Sequence, residues 1–498
     1  MNTWVSIRRT KANYPDTSPF HPDQIYPEYP FKDGPIDQEN KLYGEVRELI
    51  RQLGYDSKHY GSPEWNPFGE VVVPGNTVVV KPNLVVDSHP LGTRGIYATV
   101  VHGAIIRVLI DYIWIALKGH GGIVIADSPI KEVDFDRILE QTGILASCNW
   151  LVRNGVPIST VDLRDFKAVR NSVGILIHDF QLEGDPAGYA TINLGTLSAF
   201  HELDADMKAR LRSTATYYEN PVHECHDQER HVYSVARSIL EADVIVSVAK
   251  LKTHIKSGVT LSLKNMVGVT NEKRWLPHYR VGDRTRGGDM HPESAQLSTR
   301  FHDWRYDWTS SHRAGQFVLR LLHSRIGGIL DGYLARLLDW PRRPVLEPSG
   351  GNWYGNDTVW RMALDLNRIV FYADRNGEMR EQPQRRYLSF IDGVLAGEGE
   401  GPLAPIPKPA GVIIAGENPI AVDIVGCSIM GFDWRSVPTI SNANEYLGKG
   451  LAVDPDAIQV VGNEVQWQDV GGVRQNHLGF IPPRGWSESP FVITGRDA

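Results

Sequence analysis

The sequence predicts an α/β fold: mostly parallel sheet(s) with helices on both faces, plus an Arg/Trp-rich, largely helical insertion. Three observations lead to this prediction. Short apolar, β-branched runs recur along the chain, helical stretches separate them, and the alternation stops between residues 271 and 360. Strands that alternate with helices favour a parallel sheet whose two faces are both covered.

The individual elements follow from local patterns in chain order. Apolar runs bounded by Gly, Pro or polar residues predict strands at 77–80, 123–126, 158–161, 244–248, 387–391 and 411–415, with an edge strand at 458–461. Apolar residues at helical spacing predict helices at 41–53, 98–117, 134–141, 234–240, 361–372 and 419–430. An acidic glycine loop is predicted at 394–402. The segment 165–230 has no clear period and is left open between strands and loops.

The same alternation divides the chain into five parts. Residues 1–70, rich in Pro, Tyr and Asp, are expected to form an arm that wraps the body. The α/β core is expected at 71–270 and 361–465, interrupted by the insertion at 271–360. A Pro/Gly-rich tail completes the chain at 466–498. From Lys273 to Arg343 there are thirteen Lys/Arg against seven Asp/Glu, so the insertion is predicted to be basic.

Composition excludes several classes of protein. The net charge of −7 argues against general nucleic-acid binding, which favours a basic protein. The three cysteines, Cys148, Cys225 and Cys427, form no C-x-x-C pattern, so no iron–sulfur cluster is expected from the chain's own cysteines. The first residues lack an apolar signal region, and a cytoplasmic location is predicted. No P-loop, nucleophile elbow, H-E-x-x-H or dinucleotide fingerprint is present in the sequence.

Charged residues follow four of the predicted strands directly. The groups are Lys81 with Asn83, Asp127 with Ser128, Lys250 to His254, and Asp392 to Glu400, and each comes directly after an apolar run. In open parallel sheets the ligand crevice lies outside the carboxyl ends of the strands, so these residues are expected to meet in one cleft. The alternative is that they are ordinary polar loop residues.

The stretch 243–268 carries the densest cluster of candidate site residues. His254, Lys252 and Lys264 are the candidate catalytic residues, because His can act as an acid or base near neutral pH and Lys can neutralise a carboxylate or phosphate. The candidate substrate-binding residues are Lys81, Asn83, Thr93, Arg94, Asn265 and His278. The predicted ligand is an anionic small molecule. A solvated lysine-rich loop and structural histidines are the competing interpretations.

Four carboxylates are candidates for a metal site. Asp127, Asp392, Glu398 and Glu400 could hold Mg²⁺ or another divalent metal, because such ions prefer oxygen ligands. Gly397, Gly399 and Gly401 would let the backbone bring the last two close. It is an equal alternative that this acidic loop pairs with the lysines instead.

The second half of the insertion has an amphipathic pattern. Between residues 313 and 340, apolar positions run at helical spacing with Arg320, Arg325 and Arg336 among them. Such a stretch can pack on its own domain, contact a second copy in a homodimer, or lie on a membrane surface as a peripheral contact.

Six ordered motifs resemble the uncharacterised family named domain of unknown function 362. They are Val-Lys-Pro-Asn-Leu (80–84), Ala-Asp-Ser-Pro (126–129), Ala-Lys-Leu-Lys-Thr-His (249–254), Gly-Val-Thr-Leu-Ser-Leu-Lys-Asn-Met-Val-Gly (258–268), Ile-Asp-Gly (391–393) with Gly-Glu-Gly-Pro (399–402), and Asn-Pro-Ile-Ala-Val-Asp (418–423). The resemblance covers roughly residues 75–435 without the insertion. It implies little about activity. Many members carry a ferredoxin-like cluster domain, but this chain has no cysteine cluster, so no redox role is carried over.

A fainter likeness is to lactate racemase, whose nickel-pincer cofactor is surrounded by a Thr-Arg loop and a His/Lys region. Thr93-Arg94, His254 and Lys264 are the matching positions here. Three functional hypotheses therefore stand. The first is an enzyme that acts on an anionic small molecule, with or without a divalent metal. The second is a binding or assembly protein that uses the basic surface 273–343. The third is a racemase-like redox isomerase with a bound cofactor.

Overall fold

The computed structural model describes residues 1–170, 176–214, 221–311, 349–487 and 490–493. The strands in these ranges are Trp4–Arg9 (β1), Thr77–Pro82 (β2), Gly122–Asp127 (β3), Ile158–Asp162 (β4), Phe166–Arg170 (β5), Leu176–Gln181 (β6), Tyr189–Asn193 (β7), Leu211–Arg212 (β8), Val232–Ala236 (β9), Val244–His254 (β10), Gly258–Thr260 (β11), Tyr279–Arg280 (β12), Arg386–Glu398 (β13), Ile406–Lys408 (β14), Val412–Gly416 (β15) and Gln459–Gly462 (β16).

Fifteen α-helices lie in the described ranges. They are Lys41–Gln52 (α1), Gly92–Thr99 (α2), Gly103–Leu117 (α3), Phe135–Gln141 (α4), Ile144–Arg153 (α5), Ala205–Ala209 (α6), Val222–Cys225 (α7), Arg237–Glu241 (α8), Ser262–Asn265 (α9), Leu297–Ser311 (α10), Val359–Tyr372 (α11), Pro419–Met430 (α12), Pro438–Ser441 (α13), Ala443–Leu447 (α14) and Val470–Gln475 (α15).

One ten-stranded sheet organises the molecule. Its strand order is β16-β1-β15-β13-β10-β2-β3-β4, with β11 paired to β10 and β14 paired to β13. The five neighbours β13, β10, β2, β3 and β4 run parallel, whereas β15 is antiparallel to both β13 and β1. The predicted α/β class with a mostly parallel sheet is confirmed. The carboxyl ends of the parallel strands therefore meet at one edge.

Helices cover both faces of this sheet. Side chains alternate along β10, so that Val244, Val246 and Val248 pack with α1, α3, α4 and α5 in one apolar cluster. Ile245 and Ala249 point to the other face, where α11 and α12 pack. Strand β10 is buried along its whole length, as its apolar sequence predicts for a central strand.

The arm and the insertion both pack against the body. Strand β1 lies between β15 and β16 inside the main sheet. The buried Arg107 of α3 holds the arm, because its guanidinium donates to the Pro19 carbonyl and to the Tyr29 hydroxyl, both at 2.9 Å. The start of the insertion joins the body through β12, which pairs with β8. The predicted amphipathic stretch 313–340 falls outside the described residues.

The structure corrects several predicted boundaries. The predicted helix 98–117 is two helices, α2 and α3. The His102 backbone N–H donates to Asp392 Oδ2, and the His102 side chain caps α3 by accepting from the Ala104 N–H. The predicted loop 394–402 is strand as far as Glu398, because β14 pairs with the end of β13. The open segment 165–230 contains strands β5 to β8, and the predicted helix 234–240 begins as strand β9.

In the described part of the chain, no single helix is both long and apolar enough to cross a membrane. The pair α2 and α3 satisfies the length and composition criteria only when counted together, across a bend of 43°. Most of α3 is buried against the sheet.

Candidate functional site

A cavity of about 670 Å³ opens at the carboxyl edge of the parallel strands. This volume is within the range of roughly 300–1,000 Å³ that is usual for small-molecule sites. The charged and imidazole side chains of its wall are Lys81, Lys252, Lys256, Lys264, Lys273, His254, His278, His302, Asp127, Glu132, Asp303 and Glu400. Of the predicted strand-end residues, Lys81, Asp127 and Lys252 lie on this wall, whereas Asp392 does not.

A buried ion pair forms part of the cavity wall. Lys81 at the end of β2 contacts Asp127 at the end of β3, with 2.6 Å between Nζ and Oδ1. The other carboxylate oxygen of Asp127 accepts the Leu84 N–H at 2.7 Å. Gly268 packs so closely here that a Cβ would overlap both Asp127 Oδ1 and Lys81 Nζ. These partners commit Lys81 and Asp127 to each other.

Two asparagine side chains hold the lysine side chains in place. Asn265 donates to the Lys81 carbonyl at 3.1 Å and to Ser247 Oγ at 3.0 Å. Its Oδ1 accepts from Lys81 Nζ at 3.1 Å. Asn83 Oδ1 accepts from Lys252 Nζ at 3.0 Å. Both asparagines were predicted to contact substrate, and both line the cavity, but their hydrogen bonds show that they also position lysines.

Lys252 is held by neutral oxygens. Besides Asn83, its ammonium donates to the Thr99 carbonyl at 2.6 Å and to the Pro402 carbonyl at 3.2 Å. Burial lowers the pKa of Lys252 well below its usual value, and the charges of Lys250 and Lys264 lower it further. Three oxygens around one ammonium favour its charged form and oppose this lowering.

Lys264 and Lys273 have no hydrogen-bond acceptor within the described ranges, although both line the cavity. Burial lowers the pKa of Lys264 to about 8. Burial lowers the pKa of Lys273 to about 7, against the opposing effect of Asp127. Both lysines are only partly exposed, and an ammonium in such a place is stabilised less than in bulk water, so these two groups are the ones that a bound anion would stabilise most.

The two histidines of the cavity wall, His254 and His278, carry the proton of their neutral rings on different nitrogens. His254 Nδ1 accepts from the Lys256 backbone N–H at 3.0 Å, which leaves the proton of the neutral ring on Nε2. His278 Nδ1 lies 2.8 Å from the Leu276 carbonyl, so Nδ1 carries the proton and Nε2 keeps a lone pair. Burial lowers the pKa of His278 to about 3, and the charges of Lys256, Lys264 and Lys273 contribute. Neutral His254 can therefore donate a hydrogen bond and neutral His278 can accept one.

The four carboxylates predicted to hold a metal do not come together. Asp127 pairs with Lys81, and Asp392 pairs with Lys250 beneath the cavity. Glu398 contacts Lys408 at 3.0 Å and accepts the Ile481 N–H, while Glu400 accepts the Arg484 N–H at 2.7 Å. Among the described residues no group of three or more His, Cys, Asp or Glu is arranged to hold a metal ion. The predicted metal therefore has no ligand set in this part of the chain.

Other predicted residues separate into two groups. Lys81, Asn83, Asp127, Lys252, His254, Lys264, Asn265, His278 and Glu400 line the cavity. Thr93 and Arg94 lie exposed on α2 and do not line it, and Asp392 and Glu398 are likewise absent from its wall. Of the four positions that resemble lactate racemase, His254 and Lys264 line the cavity, and Thr93 and Arg94 do not. The resemblance stays a prediction.

Several polar residues of the cavity wall had no role assigned from the sequence, among them Glu132, His302, Asp303 and Asn352. Lys256 and Thr260 belong to the segment that the sequence singled out, but no role was assigned to them. Ser128 was identified with Asp127 as a strand-end residue, without a role. Lys273 was assigned to the insertion, although it lies on the cavity wall beside the core residues. The signal that could have identified Thr260 is its position at the end of a strand.

Comparison with known proteins gives a family and no reaction. Residues 183–428 match the family model described as Domain of unknown function (DUF362). A stretch of 79 residues is 35% identical to the thylakoid-associated protein sll1697 of Synechocystis sp., and it covers 15% of this chain and 24% of that protein. This chain thus spans about a quarter of the length of that relative. A protein of Thermotoga maritima with a crystal structure is 13% identical, with a TM-score of 0.29 over 75% of this chain and 54% of that one.

Proposed function

Since this chain carries a domain of unknown function 362 over residues 183–428, and the name assigns no reaction, we propose a function from the geometry of the cavity. The proposal is an enzyme that binds a carboxylate- or phosphate-bearing small molecule in the lysine-lined cavity and transfers a proton to or from it. A cytoplasmic location is part of the proposal, in keeping with three buried, unpaired thiols at Cys148, Cys225 and Cys427.

The observation that carries this proposal is the pair of unpartnered ammonium groups at Lys264 and Lys273. Neither has an acceptor in the part of the chain that the structure describes, yet burial has lowered both pKa values to about 8 and about 7. A protein tolerates such groups when they serve a ligand, because they weaken the fold while the site is empty. A carboxylate or phosphate would supply the missing acceptors and form charge-assisted hydrogen bonds.

The two histidines supply the acid–base chemistry of the proposal. His278 Nε2 has a lone pair beside the lysines that would hold the anion, and it can accept a proton once the bound anion offsets the lysine charges that lower its pKa. The Nε2–H of neutral His254 is suited to donate a hydrogen bond to an oxygen of the ligand. The lysines would lower the free energy of negative charge that develops on the ligand.

Metal assistance would need donors from the ligand itself. Asp127 and Glu400 are the two predicted metal-binding carboxylates that reach the cavity wall. Mg²⁺ is commonly held by one or two carboxylates together with substrate phosphates. Asp127 is paired with Lys81 and Glu400 accepts the Arg484 N–H, so a divalent ion would be held mainly by the phosphate oxygens of the ligand itself.

The test is binding of inorganic phosphate and of citrate to the full chain, measured by titration calorimetry. Lys264→Met is the test variant, because Met keeps the length and apolar body of the side chain without its charge. Lys449→Met is the matched control, since Lys449 is exposed and does not line the cavity. Binding that persists in Lys449→Met and is lost in Lys264→Met supports the proposal. Equal binding in both variants, or none in the wild type, would overturn it.

One observation favours the second hypothesis, a binding or assembly protein. Helix α10 exposes Leu297, Phe301 and Trp304, with 84%, 62% and 58% of their surfaces accessible. Large apolar side chains that are exposed together are typical of interaction surfaces. Replacement of Phe301 and Trp304 by Ser tests this hypothesis by sedimentation velocity. An assembly that disappears in this variant, with phosphate binding unchanged, favours the second hypothesis over the first.

A further inference from the structure

Two separate places on the cavity wall carry the same pair of features. At each place one lysine lacks an acceptor and one buried hydroxyl lacks a hydrogen-bond partner, within the ranges that the structure covers. Lys264 and Thr260 form the first place, and Lys273 and Ser128 form the second. Both hydroxyl residues are 3% exposed, so water reaches them poorly in the folded chain. We call these places the Thr260–Lys264 site and the Ser128–Lys273 site.

Strand pairing positions the Thr260–Lys264 site beside β10. Thr260 of β11 lies opposite Lys252 of β10 in the antiparallel register, and α9 begins two residues later with Ser262. The positive charge of Lys264 lowers the pKa of Lys252 and of His254, in addition to the lowering that burial causes. This site therefore lies over the end of β10.

The Ser128–Lys273 site lies over the neighbouring strands β2 and β3. Ser128 directly follows Asp127, and its backbone N–H donates to the Gly268 carbonyl at 3.0 Å. Besides burial, the pKa of Lys273 is affected by the charges of four neighbours: Asp127, Lys131, Lys81 and Arg164. Ser128 follows β3 and Thr260 pairs with β10, and β2 lies between β3 and β10 in the sheet, so the two sites belong to different strand ends. His278 is within electrostatic reach of both.

A buried donor without an acceptor is costly, so each site points to an acceptor that the ligand brings. Lysine and hydroxyl groups together can donate several hydrogen bonds to one carboxylate or phosphate. The volume of about 670 Å³ has room for a ligand that reaches both.

We propose that the ligand of this cavity carries two separate anionic groups, one bound at the Thr260–Lys264 site and one at the Ser128–Lys273 site, with His278 between them. This inference rests on the proposed anion-binding function and specifies its substrate class. The groups are carboxylates, phosphates or one of each, joined by a short uncharged chain that passes His278.

Two unpartnered acceptors elsewhere on the described cavity wall disfavour an anionic group beside them, which favours the two lysine sites for the anionic groups. Asn352 Oδ1 and Asp303 Oδ2 are buried acceptors without a donor in the described ranges. An acceptor repels a carboxylate or phosphate and favours a hydroxyl or amine. Where it meets these two residues, the ligand is therefore expected to offer donors rather than charge.

The experiment is titration calorimetry of the full chain with two series of probes. The first series is the α,ω-dicarboxylates from malonate to adipate, with acetate as the single-anion counterpart. The second series is the α,ω-bisphosphonates of the same chain lengths, with methylphosphonate as counterpart. The variants are Lys264→Met, Lys273→Met and the double variant, with Thr260→Val and Ser128→Ala to remove one hydroxyl at a time and Lys449→Met as control.

The inference predicts that one chain length binds at least about tenfold more tightly than its single-anion counterpart, which corresponds to about 1.4 kcal/mol. Each single lysine variant should reduce this affinity to that of the single anion, and the double variant should abolish binding. Each hydroxyl variant should weaken it several-fold. The lysine variants should melt no lower than the wild type, so a loss of affinity would not reflect a loss of fold.

The failure of the inference differs from the failure of the proposed function. A single anion that binds as tightly as every dianion, and that loses affinity in one lysine variant only, overturns the two-site ligand and retains an anion-binding cavity. A dianion whose affinity falls in only one of the two lysine variants would also overturn the two-site ligand and retain the anion-binding cavity. No binding by either series, or binding that is unchanged in both lysine variants, overturns the inference and the proposed function together.

Discussion

Lys250 and Lys264 are both buried lysines near the carboxyl edge of the same sheet, but they differ in their partners. Lys250 contacts Asp392 at 3.0 Å and Tyr14 Oη at 2.7 Å, and the side chains of the ion pair are fully buried. Lys264 lines the cavity and has no acceptor in the described ranges. The comparison teaches that a lysine-rich strand end contains two kinds of lysine: one stabilises the fold, and the other is available to a ligand.

The largest effect is expected from breaking the paired site. Asp392→Ala removes the carboxylate that faces Lys250 and also accepts from Tyr14 and from the His102 N–H. The uncompensated charge of Lys250 should lower the free energy of unfolding by about 3–5 kcal/mol. Denaturant unfolding of the ligand-free protein measures this loss. A change below about 1 kcal/mol, typical of exposed pairs, would place Lys250 with the ligand-binding lysines instead.

A second substitution tests the pair that forms part of the cavity wall. Gly268→Ala places a Cβ against Asp127 Oδ1 and Lys81 Nζ, where the structure leaves no space. The forced movement should cost about 1–3 kcal/mol of unfolding free energy, as in other overpacked sites. Gly122→Ala is the matched control, because a Cβ there meets no neighbour within 4 Å. Equal stability of the two variants would show that the Lys81–Asp127 pair is not fixed by Gly268.

The opposite sign is expected where the lysine has no partner. Lys264→Met should raise the free energy of unfolding of the ligand-free protein by about 2 kcal/mol, because a buried, unpaired ammonium is replaced by an apolar group. This figure allows for the partial exposure of Lys264. The same variant should lose phosphate affinity, so stability and binding should move in opposite directions. A destabilised Lys264→Met would assign Lys264 to the structural class of Lys250.

Per pH unit, the smallest effect is the dependence of stability on pH. The pKa of Lys264 is about 8 in the folded protein and 10.5 for an unperturbed lysine, so between these pH values the unfolded chain binds the additional proton. Unfolding free energy should therefore rise with pH across this window, by up to about 1.4 kcal/mol per pH unit for one lysine. Below pH 8 both states are protonated and the penalty is complete. Unfolding curves of the wild type and of Lys264→Met should converge as the pH rises towards 10.5.

Much of the fold could be predicted because burial leaves a local pattern. The apolar run 244–248 is the start of β10, and the helix predicted at 419–430 is α12 with the same bounds. The antiparallel direction of β15 could not be predicted, because a strand's sequence does not record which neighbour it pairs with. The break between α2 and α3 depends on Asp392, which lies 290 residues from His102.

The candidate site was predictable in its location and less so in its roles. The position of Lys81, Asp127 and Lys252 after apolar strands predicted a shared cleft, and they line one cavity. Their partners could not be predicted, because the Thr99 and Pro402 carbonyls that hold Lys252 come from distant segments. The four carboxylates assigned to a metal failed to converge because each has a nearer cation or backbone donor. Charge content alone does not distinguish a metal ligand from an ion-pair partner.

The most direct test of the central claim is the number of protons taken up when phosphate binds. An anion beside Lys264 and Lys273 should raise their lowered pKa values, so binding at pH 8 should take up protons from the buffer. Titration calorimetry in two buffers of different ionisation enthalpy gives this number. We predict clear proton uptake in the wild type and in Lys449→Met, and a smaller uptake by whatever binding remains in Lys264→Met. Phosphate binding without proton uptake would contradict the claim that the unpartnered lysines receive the anion.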